Sequence, residues 1–320
     1  MSPDPTLPIA DGSGSLGRVA DPILVDPSPS LLRAAVQAYR EAAPALVDPV
    51  LATLRTDASS GGDSVAAAAD LPALTVLATD GVVDAVVERF HAASRLAALA
   101  EAGVCDLRTL PEPQPNAVLA GRSSGFVLVA SPSDDDGGPW RPVGDDPTLR
   151  ERYDQLVAAA DVRRLRTPSR RRIHDAFRER SDSDLADDVI RALDADRHAE
   201  DVDRRASEDA AAAAADATLD GVSLPDAPLD LAGARFRAYV VGTHRGALDR
   251  DLRRACEDAG LGSRATFTRI KRELREVGLL GTESVSQPVG RPRERLVARG
   301  ALADADGPVA AVAAALDATG

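Results

Sequence analysis

The tightest constraint on the fold is the punctuation of one short stretch, residues 260–299. Gly260 and Gly262 flank Leu261, Ser263 follows, and Phe267, Ile270, Leu274 and Val277 then recur at helical spacing until Gly278. A glycine tolerates the positive φ that ends a helix and redirects the chain. Serine is a favoured helix N-cap. The spacing predicts a helix opened by Ser263 and closed by Gly278, preceded by two helices over 232–243 and 248–259. Segments 279–285 and 293–297 follow as strands of a hairpin with its tip at 287–291. Helix, helix, glycine turn, capped helix, glycine stop and hairpin is the order of a winged helix-turn-helix.

At about 100° per residue, the face opposite the apolar stripe carries Ala265, Thr268, Arg269 and Arg272, with Arg264 and Arg275 at its margins. Small side chains and threonine let a helix approach base edges, and arginine pairs bidentately with guanine. The first turn of such a helix reaches deepest into a major groove. The candidate DNA contacts are therefore Ser263, Arg264, Thr266, Thr268, Arg269 and Arg272 on the helix, with Gln287, Arg291 and Arg293 on the hairpin. Arg291 and Arg293 are expected against phosphates or a minor groove.

The charge distribution singles out the same region. Residues 235–299 hold 15 basic and 8 acidic residues, although the whole chain carries −13. Lys271 is the only lysine among 38 basic residues, and aspartate far outnumbers glutamate. Such a composition resembles cytosolic proteins of salt-loving archaea, in which surface acidity keeps the protein solvated. On that reading a pI near 4.8 does not exclude a nucleic-acid partner.

The two cysteines, Cys105 and Cys256, lie far apart, which argues against a disulfide framework or a zinc site. No apolar run approaches the ~20 residues of a membrane helix, and the N-terminus lacks a basic-then-apolar signal pattern. The expectation is a cytoplasmic protein with no membrane association, metal or cofactor.

The remainder divides by pattern. Residues 1–20 read as a disordered tail. Residues 21–148 read as a small α/β sensor or dimerisation domain, with strands at 23–25, 74–78 and 104–110 and a hairpin at 117–130. Its helices are expected over 30–54, interrupted near Pro44 and Pro49, and over 82–102, capped by Asp80. Residues 149–197 read as a helical connector, 198–229 as a flexible linker rich in alanine and aspartate, 230–299 as the winged helix-turn-helix, and 300–320 as a tail with a short helix. The fold class is α/β: a sensor-like domain, a connector and a C-terminal winged helix-turn-helix.

The α/β half offers little chemistry. Its topology resembles a phospholipase-D-like sensor domain, but the hydrolase needs His-x-Lys pairs, and Lys271 does not follow a histidine at that spacing. His91 reads as a packed or surface histidine and Cys105 as a core residue. Ser28, Asp80 and Ser131 sit at strand ends, where open α/β sheets bind ligands and where helices are capped. Residues 61–64 lack the Lys-Ser/Thr of a phosphate loop. Six arginines between 163 and 172 read as a charged connector pairing with the acidic stretch 181–188, or as a second DNA-contacting segment.

The run Ala265-Thr266-Phe267-Thr268-Arg269, continued by Gly278-Leu279-Leu280 and Val289-Gly290-Arg291-Pro292-Arg293, resembles the C-terminal domain of haloarchaeal TbsP-type transcriptional regulators. The Gly103–Leu110 strand, the hairpin after it and Arg166-Thr167-Pro168 extend the likeness more loosely into the α/β half. The resemblance implies action at promoters of central carbon metabolism genes, near TrmB-type sugar-responsive control. The expectation is a non-catalytic, sequence-specific regulator acting on double-stranded DNA as a homodimer, with a small metabolite as effector. The competing class is a ligand- or protein-binding scaffold whose winged domain docks a protein partner. Enrichment of a DNA site separates the two.

Overall fold

The computed structural model describes residues 4–10, 12–60, 68, 70–130, 140–195, 229–287 and 292–319. They form two compact units, Met1–Leu165 and Arg166–Gly320. Among the described residues no helix is long and apolar enough to cross a membrane.

The first unit is built on a six-stranded sheet. Three strands, β3 (Ile23–Val25), β4 (Leu74–Ala78) and β5 (Cys105–Thr109), run parallel. The others, β6 (Ala117–Ala120), β7 (Gly125–Val129) and β8 (Arg141–Val143), continue antiparallel in the order β5-β4-β3-β6-β7-β8. Alternation along the strands builds a core on each face. Leu24, Val76 and Leu107 point to one side, with Leu31, Leu32 and Tyr39 of α1 (Pro29–Ala42). Ile23, Val25 and Leu77 point to the other, with Tyr153 of α6 (Leu149–Ala159).

Several local expectations change. The N-terminal segment is not a bare tail: β1 (Thr6–Ile9) and β2 (Gly12–Ser15) pair, and Leu7, Leu16 and Val19 are buried in the first core. Three apolar anchors spaced among glycine, proline and serine suffice to dock it. The proline breaks hold, giving α2 (Pro44–Val47) and α3 (Leu51–Ser60) after α1. The helix expected over 82–102 is two, α4 (Asp80–Val87) and α5 (Phe90–Glu101), because Arg89 is extended. Asp80 is the first residue of α4 rather than its cap, and it meets Arg163 at 3.1 Å.

Cys105 is wholly buried, and burial pushes its thiol up to about 12, with Asp106 acting in the same direction. The folded state therefore holds this proton longer than the unfolded chain. The resulting stability is complete below the unfolded value near 9 and is lost as pH rises towards 12. Cys105→Ala is expected to remove about 1.4 kcal/mol per pH unit of alkaline slope in that window. Urea unfolding of wild type and variant across the window checks it; identical slopes would refute the assignment.

Among the described residues the second unit is helical apart from one hairpin. Helices α7 (Arg170–Arg180) and α8 (Ser183–Asp194) pack on α9 (Leu231–His244), α10 (Asp249–Asp258) and α12 (Pro308–Thr319). The connector expected over 149–197 is thus divided: α6 lies on the sheet of the first unit, whereas α7 and α8 are part of the second. The reason is the deep burial of α8, where every residue from Leu185 to Ile190 is buried, with Ala192 and Leu193 after them. Arg237 of α9 also donates to the carbonyl of Ala192 at 3.0 Å. The C-terminal segment is likewise no tail, since Ala311, Val312 and Ala315 of α12 are buried. Most of the linker expected over 198–229 lies outside the described residues.

Candidate nucleic-acid interface

Helix α11 (Arg264–Glu276) begins after a glycine turn and ends at a glycine, as its spacing predicts. Gly260 (φ 81°) lets the N–H of Leu261 reach the carbonyl of Cys256, five residues back, at 3.0 Å. Gly278 (φ 78°) does the same for Leu279 and Leu274 at 2.9 Å. Both closures satisfy the last carbonyls of a helix and return an apolar side chain to the core. Ser263 occupies the N-cap position, but its hydroxyl lies 3.3 Å from that of Thr266 and makes no cap bond to the backbone.

Phe267, Ile270 and Leu274 are buried as expected, whereas Val277 is 40 % exposed. The helix stops at Glu276, so Val277 leaves the helical register and Leu279 and Leu280 take the core positions after Gly278. Lys271 joins the buried side instead. It lies 3.0 Å from the carboxylate of Asp249 and 2.7 Å from that of Glu294. Asp249, 3 % exposed, also accepts from Tyr239 at 2.9 Å and Arg253 at 2.6 Å. This one carboxylate joins α9, α10 and α11, and through Lys271 the strand β10 (Arg293–Ala298). Burial, then the charge of Asp249 and its hydrogen bond, push the Tyr239 hydroxyl far above its ordinary value.

The outer face of α11 gathers most of the expected contacts. Ser263, Arg264, Thr268, Arg269 and Arg272 are all exposed, and Thr266 is half-buried. Thr268 donates to the carbonyl of Arg264 at 2.8 Å, so its hydroxyl keeps lone pairs for a further donor. Arg272 lies 3.7 Å from Glu276, an exposed pair of little strength. Arg275 is tied to Thr282 of β9 (Leu280–Val285) at 2.9 Å.

The hairpin is less as expected. β9 and β10 pair antiparallel, and Gln287 is half-buried. Arg291 lies outside the described residues. Arg293 meets Asp251 of α10 at 3.1 Å, and its side chain remains 39 % exposed.

Two basic features were not read from the sequence. Arg235 of α9 donates to the carbonyl of Leu261 in the turn. Burial lowers its pKa first, Asp230 opposes, and Arg166 and Arg269 lower it further. Three arginines from distant parts of the chain therefore share one positive field. Second, Arg250, Arg253 and Arg254 of α10 stand beside Arg264. Their spacing was visible as a charged helix face, but its meeting with α11 depends on the turn between them. Two members of the arginine run at 163–172 pair with acids outside the 181–188 stretch. Arg163 pairs with Asp80 and Asp84, and Arg170 with Asp194.

In the α/β half, the strand-end candidates Ser28 and Asp80 have structural partners. Ser28 accepts from the N–H of Leu31 at 3.2 Å and caps α1. His91 is buried edge-on to Phe90, with ring centroids 5.6 Å apart. Ser131 lies outside the described residues.

Two family models match the chain. The model for the C-terminal HTH domain of TbsP-like transcriptional regulators matches residues 225–315, and that for the TbsP-like N-terminal region matches residues 45–168. Together they take in about two thirds of the chain, and α7 and α8 fall between them. No curated protein and no solved structure matches it.

Proposed function

Because the chain belongs to the TbsP-like family of transcriptional regulators, we propose that it is a sequence-specific DNA-binding regulator that reads a major groove with the outer face of α11. The observation that carries this is the exposed set Arg264, Thr268, Arg269 and Arg272 on a helix whose opposite side is fixed in the core. The hairpin β9–β10 acts as a wing against backbone phosphate. Arg293, which also meets Asp251 beneath the wing, faces phosphate with the part of its guanidinium left exposed. The first unit serves as a sensor or dimerisation domain. The functional form is a homodimer, since pairing of two such domains gains affinity and half-site spacing. Its targets are central carbon metabolism genes, with a small metabolite as effector.

The test begins with selection of a preferred site from random duplexes at high salt. Arg269→Ala is then expected to lower the preference for that site over random DNA by about 1–3 kcal/mol, with a much smaller loss on random DNA. Equal losses on both would contradict base reading by Arg269. Failure of the wild type to enrich any duplex would favour the protein-docking scaffold.

A further inference from the structure

The charged clefts of the second unit differ in how far their charges are already matched. One, of about 610 Å³, is lined by Arg180, Asp182, Arg245, Asp251 and Arg295 among others. Arg180 is bound to Asp258 at 2.7 Å and Arg245 to Asp188 at 3.2 Å, so it offers little unsatisfied charge. The other, of about 500 Å³, lies where α10 meets the start of α11 and is lined by Arg250, Arg253, Arg254, Glu257 and Arg264. Arg253 is held by Asp249. Arg250, Arg254 and Arg264 are exposed and have no carboxylate within ion-pair distance among the described residues. Arg250, Arg254 and Glu257 follow at helical spacing on one face of α10. With Arg253 matched by Asp249, three guanidinium groups face the one carboxylate of Glu257, which makes the cleft a concave and net positive surface.

Resting on the reading that α11 enters DNA, we propose that this cleft seats backbone phosphates beside the bases that α11 reads, with Arg250, Arg254 and Arg264 as their ligands. The planar guanidinium fork matches phosphate oxygens bidentately. Arg264 is the first residue of α11, so a phosphate held here fixes how the first turn of that helix enters the groove. Such contacts set register and affinity and carry no sequence information.

The experiment is a salt titration of DNA binding by the full chain, on the selected site and on random duplex. The Arg250→Ala/Arg254→Ala variant should show a log K against log salt slope shallower by about 1.8, from roughly 0.9 per phosphate contact. A fourfold fall in salt then gains the wild type about tenfold more than the variant. The loss should be the same on both duplexes, and Arg250→Lys/Arg254→Lys should retain the wild-type slope. Both arginines are exposed, and unchanged thermal unfolding confirms that the variants fold. An unchanged slope in the alanine variant, with wild-type binding intact, overturns the cleft assignment alone. Absence of wild-type binding overturns the regulator reading with it. Pyrophosphate without DNA, at matched ionic strength, should not raise the unfolding temperature. A rise that the alanine variant abolishes would reassign the cleft to a free phosphate ligand.

Discussion

Asp249→Ala is expected to destabilise the second unit by about 3–5 kcal/mol, the cost of leaving buried charges without their partner. The carboxylate is nearly inaccessible and faces Lys271, Arg253 and the Tyr239 hydroxyl at once. Arg253 has solvent within reach, since its side chain is 20 % exposed; that of Lys271 is only 10 % exposed and keeps only Glu294. Urea unfolding of the full chain measures the loss, and a change below about 1 kcal/mol would mean that water replaces the carboxylate. Asp249→Leu with Lys271→Met should recover much of it, because removing both members of a buried pair is often near neutral. The recovered protein should bind DNA less well than its stability suggests, since the link from α11 to β10 is gone.

Phe267→Ala should cost a similar amount, about 3–5 kcal/mol for a fully buried ring. The ring stacks on Tyr239 with centroids 5.9 Å apart and planes 20° from parallel, and it packs under Gly262 of the turn. Its loss loosens α11 exactly where the chain enters from α10, so affinity should fall on every duplex with the order of site preference kept. Tyr239 belongs to both the stack and the Asp249 site, so the two substitutions should not add. A double variant about 0.5–3 kcal/mol from the sum is expected, and strict additivity would show that the tyrosine does not couple them.

The parts legible in the sequence are those set by local chemistry. Gly260, Ser263 and Gly278 mark α11 because a turn and a helix end each depend on a few adjacent residues. The strands β3, β4, β6 and β7 were legible from short apolar runs bounded by turn residues. Val277 was assigned to the core because periodicity alone cannot say at which residue a helix releases the chain. Lys271 was not recognised as buried because its partners, Asp249 and Glu294, lie 22 and 23 residues away and meet it only after three elements have packed. Arg293 shows the same limit: alternation places it on a hairpin, but only packing reveals Asp251 beneath it. The docked N-terminal strands were missed because the backbone pairing of Thr6–Ile9 with Gly12–Ser15 leaves little trace in side-chain pattern.

The placement of α7 and α8 alters what the alanine- and aspartate-rich stretch after them means. Ala195 and Leu229, the described residues on either side of that stretch, both belong to the second unit, and Leu229 is buried. The stretch therefore falls within the second unit and does not join the two units. A fragment started at the beginning of the match to the C-terminal family model would strip two helices from a folded body.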